Sequence, residues 1–186
     1  MSCKEFLIKT ITIVGGCPVQ LKVSFILITL TFCTNLTAMV TCSWLAGSTP
    51  DTRQGLFWYC IQQGSTECCA QLEDYAETQN MTVPAFVQAT RTFAGIGVCS
   101  LFGTLVLCMA TVMVSRKAHI KKEMRFNIGA NILSFLIIVI GVIVYGAKFP
   151  DDMLTNRMGP SWSFGFSAFA ACVCLVNALV LFSYEA

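Results

Sequence analysis

Four stretches of this chain, residues 23–43, 93–114, 126–146 and 162–183, contain no Asp, Glu, Lys, Arg or His. Each comes close to the roughly 20 residues that a helix needs to cross a hydrocarbon layer about 30 Å thick. The chain is 186 residues long, 55% hydrophobic and only 12% charged, with a mean hydropathy of +0.70. That is too apolar for one small water-soluble core, and the four stretches leave no room for a soluble domain beside them. The expectation is a single four-span membrane domain over residues 1–186: an all-α transmembrane four-helix bundle, left-handed, with the lipid bilayer as its first partner.

Charge decides the orientation, because Lys and Arg in short loops resist translocation. Lys4, Lys9 and Lys22 precede the first span, and Arg116, Lys117, Lys121, Lys122 and Arg125 lie between the second and third. The remaining bases, Arg53, Arg91, Lys148 and Arg157, share their loops with Asp51, Glu67, Glu73, Asp74, Glu77, Asp151 and Asp152. Both termini are therefore expected in the cytosol, with outer loops at 44–92 and 147–161 and an inner loop at 115–125. The basic inner loop reads as a topogenic stop and a contact for anionic lipid, not as a nucleic-acid site. Lys9 interrupts the apolar run from Phe6 to Val14, which argues against a cleaved signal peptide. Val14-Gly15-Gly16-Cys17 matches a lipoprotein cleavage box only by chance, since four spans follow it.

Ionisable side chains inside a bilayer mark proton relays, ion paths and voltage sensors, and the spans have none, which disfavours a pump or proton-coupled carrier. Their polar residues are small or neutral. Thr29, Thr31, Thr34, Asn35, Thr37 and Thr41 fall in the first span, Asn127 and Asn131 in the third, and Asn177 in the fourth. Such groups bond one another between helices. Gly95, Cys99 and Gly103 form a small-residue stripe in the second span, expected to pack within the bundle, with a dimerisation face as the alternative. The sole histidine, His119, supplies neither a metal site nor a catalytic pair by itself. No phosphate-binding glycine loop, nucleophile elbow or zinc-spaced cysteine set is present, so the chain is read as no enzyme and as needing no cofactor or metal. Cys172 and Cys174 read as packing residues.

The first outer loop carries the information. Cys60, Cys68 and Cys69 face an oxidising space, and two of them can close a small ring suited to a β-hairpin. Gly55-Leu56-Phe57-Trp58-Tyr59-Cys60-Ile61 is aromatic and strand-prone, and Gly64-Ser65 supplies a turn. A small disulfide-stapled extracellular antiparallel sheet resting on the bundle follows. These residues carry a resemblance: Trp44, then Gly55-Leu56-Phe57-Trp58-Tyr59-Cys60, then Cys68-Cys69, then Gln88-Ala89-Thr90-Arg91. The pattern resembles the claudin superfamily of tetraspan proteins across essentially the whole chain. Pro160-Ser161-Trp162-Ser163-Phe164 is similar to the peripheral-myelin, epithelial-membrane and lens-fibre group, and to the calcium-channel γ or AMPA-receptor auxiliary group.

The resemblance implies that Cys60 pairs with Cys69, with Cys68 as the other choice. It implies that Trp44, Gly55, Leu56, Phe57 and Trp58 anchor the sheet on the bundle and that Arg91 fixes the sheet to a helix end. Phe57 stands where that family carries Trp, so either Phe57 substitutes or Trp58 takes the role. By the same analogy the protein is a plasma-membrane component of cell–cell junctions that seals or lines a paracellular route, associating with itself or with other claudin-like chains. Asp51, Glu67, Glu73, Asp74 and Glu77 outweigh Arg53 and Arg91 in the first outer loop; a solvated surface is the first explanation of these acids, and any pore the loop lined should favour cations. The alternatives are an auxiliary subunit docked on an ion channel or receptor, and a membrane organiser of the peripheral-myelin type. The segment from Trp44 to Gly55 is shorter than in typical claudins, and with Tyr184-Glu185-Ala186 closing the sequence the expectation is that the tail by which many claudins bind scaffolds is lacking, unless it was removed. Asn80-Met81-Thr82 is a glycosylation acceptor in the outer loop, and Cys3 and Cys17 are palmitoylation candidates.

Overall fold

The structure, a computed structural model, describes residues 18–47, 52–114, 120–149 and 158–185. Cys3, Cys17, Arg116, Lys117 and His119 lie outside the described residues. In chain order the elements are α1 (Val19–Val40), β1 (Leu45–Gly47), β2 (Thr52–Gln54), β3 (Trp58–Gln63), β4 (Thr66–Gln71), α2 (Leu72–Thr78), α3 (Ala85–Val114), α4 (Ile120–Lys148), β5 (Met158–Pro160) and α5 (Trp162–Glu185).

Helices α1, α3, α4 and α5 are each long and apolar enough to cross a bilayer, which makes the chain a multi-pass membrane protein. Many of their large apolar side chains point away from the protein, among them Ile26, Leu30, Phe102, Leu133, Ile143, Leu179 and Phe182. Such an exterior is stable against lipid and not against water. The helix limits depart from the uncharged stretches. Helix α1 starts at Val19, directly after Pro18, and ends at Val40, because Thr41 is already extended with φ −85° and ψ 155°. Cys42 and Ser43 thus leave the expected first span and join the connection to the sheet. Helix α3 runs for 30 residues and begins well before Phe93, so its first turns carry Arg91 clear of the apolar zone.

The bundle core gathers Leu21, Ile28, Leu101, Cys108, Met124, Ile138, Ala171, Cys174 and Leu181. Threaded through it are short polar pairs. Asn177 Nδ2 donates to Asn131 Oδ1 at 2.9 Å, Asn127 Nδ2 to Thr111 Oγ1 at 2.8 Å, and the Ser100 and Ser134 hydroxyls meet at 2.7 Å. Most of the threonines of α1 turn back on their own helix, as Thr29 does to the Phe25 carbonyl at 2.7 Å.

The Gly95, Cys99, Gly103 stripe does not pack inside the bundle as expected. Cys99 is exposed, and a Cβ added at Gly95 or Gly103 meets nothing within 4 Å. Close approach of α3 and α4 occurs one face over: a Cβ at Gly97 comes within 3.2 Å of Ile138, and one at Gly141 within 3.1 Å of Phe93. Four-residue spacing marks a face that permits contact, but the helix rotation set by Leu101, Thr104 and Cys108, all buried, turns that face outward.

At the end where α1 and α4 finish and α3 and α5 begin, five strands form one sheet in the order β4-β3-β2-β1-β5, antiparallel throughout. The second loop contributes β5, which pairs with β1 through Leu45 opposite Pro160 and Gly47 opposite Met158. The two loops on this side of the bundle are therefore one structure.

Candidate functional site

The sheet is seated by a second core, distinct from that of the bundle, made of Trp44, Leu45, Leu56, Tyr59, Leu72, Val87 and Tyr145. Trp44 is its centre, at 1% exposure. Its indole Nε1–H donates to the Ala38 carbonyl at the end of α1. Its ring meets Tyr145 edge-on, centroids 5.0 Å apart, and Phe164 at 5.9 Å. One side chain thus ties α1, α4 and α5 to the base of the sheet. Such edge-to-face contacts add to the burial of a large apolar area.

Gly55 lies between β2 and β3 against the end of α1. A Cβ there would stand 2.4 Å from the Thr41 carbonyl oxygen and 2.7 Å from Cys42 Cα, both backbone, so only glycine lets the two chains lie this close. Leu56 follows, fully buried, and its carbonyl accepts from Arg91 Nε. The Arg91 guanidinium also covers the Phe57 ring at 5.0 Å and pairs with Glu73 in the first turn of α2. The hydrogen bond from Arg91 holds the Glu73 carboxyl below the usual carboxylate range. Arg91 therefore joins α3, α2 and the β2–β3 connection in one contact, which a planar fork of donors suits.

Of the two candidates for the aromatic anchor, Phe57 is the one under Arg91. Trp58 does not anchor the sheet: it is 41% exposed. Side chains alternate along a strand, so Trp58 lies on the face opposite that of buried Tyr59. Tyr59 stacks on Tyr75 of α2 at 4.0 Å, and burial pushes its phenol up to about 12.

Strands β3 and β4 close through a turn in which Gly64 takes φ +64°, a left-handed conformation that glycine adopts without cost. Their register sets Cys60 opposite Cys69, and these two form the disulfide. Cys68 is a free, exposed thiol. The reason is alternation again: adjacent residues of β4 point to opposite faces, and only Cys69 shares the face of Cys60. Cys42 Sγ, Cys60 Sγ and a Glu67 carboxylate oxygen lie within 4.8 Å of one another. With the Cys60 sulfur bonded to Cys69, that trio does not make a metal site. Asn80, exposed, ends α2 with φ 53°, which asparagine tolerates better than most residues.

Beneath the sheet, Asn35, Trp44, Thr90 and Ser167 help to line a cavity of about 10 Å³, room for about one water. Asn35 Oδ1 accepts from Ser167 there, while its Nδ2 has no protein partner. Sequence reasoning missed Tyr145, Glu73 and strand β5. An aromatic at the end of an apolar stretch was a usable signal for Tyr145. A strand of three residues has none.

Residues 21–164 match the family described as lipoma HMGIC fusion partner-like protein. The chain belongs to that family. The lipoma HMGIC fusion partner-like match runs from the first turn of α1 to the first turn of α5, and so includes Trp44, Arg91, both disulfide cysteines and every strand. This family is not among the branches that the claudin resemblance named. No curated protein matches the chain significantly.

Proposed function

We propose that this protein performs no chemistry and works as a contact-forming tetraspan, presenting its sheet to a partner at the outer surface of the plasma membrane, in cell–cell contacts, as the claudin resemblance implies. The observation that carries this reading is the contrast between the two sides of the sheet. Its inner side is clamped by Trp44, Leu56 and Arg91, while β4 is exposed along its whole length and Trp58 stands open beside it. A rigid, anchored sheet with a free edge and an exposed aromatic is suited to binding another protein. Asp74 and Glu77 on α2 are exposed and Glu67 is partly offset by Arg53 at 3.9 Å, so a route lined by this surface favours cations. Dilution potentials across epithelial layers expressing the protein test it: cation preference is expected, and anion preference or no change sinks the pore.

A second reading, an auxiliary subunit on an ion channel or receptor, is favoured by the small size of β1 and β2, three residues each. Claudin-like chains use the longer version of that segment for neighbour contacts. Affinity purification in mild detergent separates the two: a stoichiometric channel overturns the junctional reading, and copies of this chain alone weaken the auxiliary one. In either reading Asn80 carries glycan, and glycosidase digestion that leaves the gel mobility unchanged refutes its occupancy.

A further inference from the structure

We propose that Cys42 is a second disulfide partner of Cys60, so that the cross-link of the sheet moves between Cys60–Cys69 and Cys42–Cys60. Cys42 lies just past the end of α1, half-buried and unpaired. Its sulfur is within 4.8 Å of the Cys60 sulfur and of the Glu67 carboxylate. The placement is held by backbone: the β2–β3 connection presses Gly55 against Cys42 Cα, which keeps the end of α1 beside β3. A free thiol is thus held next to a disulfide on a neighbouring element.

The exchange balances without an external reagent. The Cys42 thiolate attacks the Cys60 sulfur, the new Sγ42–Sγ60 bond forms as the Sγ60–Sγ69 bond breaks, and Cys69 leaves as the thiolate and takes up the proton that Cys42 gave to solvent. One disulfide is lost and one is made, with no net oxidation. The charged groups at the trio are Glu67 and Arg53, which stands 3.9 Å from the Glu67 carboxylate. Cys68 is a poorer competitor although adjacent to Cys69, because it is directed to the opposite face of β4.

The two states differ mechanically. The Cys60–Cys69 bond, nine residues apart, staples only the β3–β4 hairpin. The Cys42–Cys60 bond ties the sheet to the end of α1 and so to the bundle, while β4 keeps only its hydrogen-bonded ladder. Two free thiols, Cys68 and Cys69, then sit on opposite faces of the edge strand.

Trypsin separates the states, since cleavage after Lys22, Arg53 and Arg91 places Cys33 and Cys42 on peptide 23–53 and Cys60, Cys68 and Cys69 on peptide 54–91. The full chain in detergent is held without oxygen at about pH 8.5, near the ordinary thiol pKa, then blocked with N-ethylmaleimide and digested. The expected result is a fraction of peptide 23–53 bonded to 54–91 through Cys42 and Cys60, with a matching fraction of alkylated Cys69. That species becomes the major one in Cys69→Ser and vanishes in Cys42→Ser. Wild-type protein with Cys42 fully alkylated and its only disulfide inside 54–91 overturns the proposal, however Cys69→Ser behaves. A cross-link that runs through Cys33 overturns it as well.

Discussion

The bundle and the sheet end are two cores built on different physics. In the bundle many large apolar side chains face outward, and the interior is aliphatic and small-polar, with Asn131–Asn177, Asn127–Thr111 and Ser100–Ser134 pairs. Lipid is as apolar as leucine, so burial drives helix association weakly there. Close approach at Gly97 and Gly141 and hydrogen bonds between helices take its place. At the sheet end the interior is aromatic and the fastenings are a buried tryptophan, a disulfide and the Arg91 contact. Water is the competing phase there, and removing a large aromatic surface from it stabilises strongly. The site is thus a soluble-type core fixed on a membrane-type one.

The contrast fails if a change at the sheet end melts the bundle, and Trp44→Ala is the harshest trial. Losing a buried tryptophan costs about 3–5 kcal/mol, so thermal unfolding should lose its sheet-end transition while helical circular dichroism persists. Cys60→Ser removes both cross-links of that cysteine and should cost about 2–3 kcal/mol for so short a loop, read by the same melt and by faster proteolysis of the hairpin. Gly55→Ala drives a methyl into the backbone of Thr41 and Cys42. About 1–3 kcal/mol is expected, with a shift in the near-UV signal of Trp44 as the sheet lifts.

Inside the bundle the effects are smaller. A double-mutant cycle on Asn131→Ala and Asn177→Ala, measured by detergent unfolding, should return a coupling of about 0.6 kcal/mol, because lipid-embedded polar groups find other partners when freed. A coupling as large as the loss from Trp44→Ala would erase the distinction between the two regions. The faintest effect is at Glu73. Its folded pKa lies below the ordinary 4.5, so its stabilisation is present above that value and is lost as pH falls through the folded pKa. Glu73→Gln should lower the stability of the sheet end slightly at neutral pH, match the wild type in acid, and so flatten the acid limb of the stability curve.

Much of this layout was legible in one dimension. The uncharged stretches located four helices to within several residues, since a charge inside lipid is penalised wherever it falls. The aromatic run ending at Cys60 and the Gly64 turn announced a hairpin, because strand propensity and left-handed turn chemistry are local. Helix rotation was not legible, and the outward-facing Gly95 stripe is the proof: the α3 sequence is apolar on every side, so its pattern names no inner face. Trp58 was equally opaque, as its place depends on which neighbour faces in.

The sequence alone determined how many times this chain crosses the membrane and which loop holds a stapled sheet, because span length, charge and turn residues act on neighbouring positions. Only the tertiary structure decided that Phe57 and not Trp58 anchors that sheet, that β5 joins the two loops into it, and that Cys42 stands beside the disulfide. Each of these depends on register and on contacts between residues far apart in the chain, and a one-residue change of register exchanges the face of every side chain.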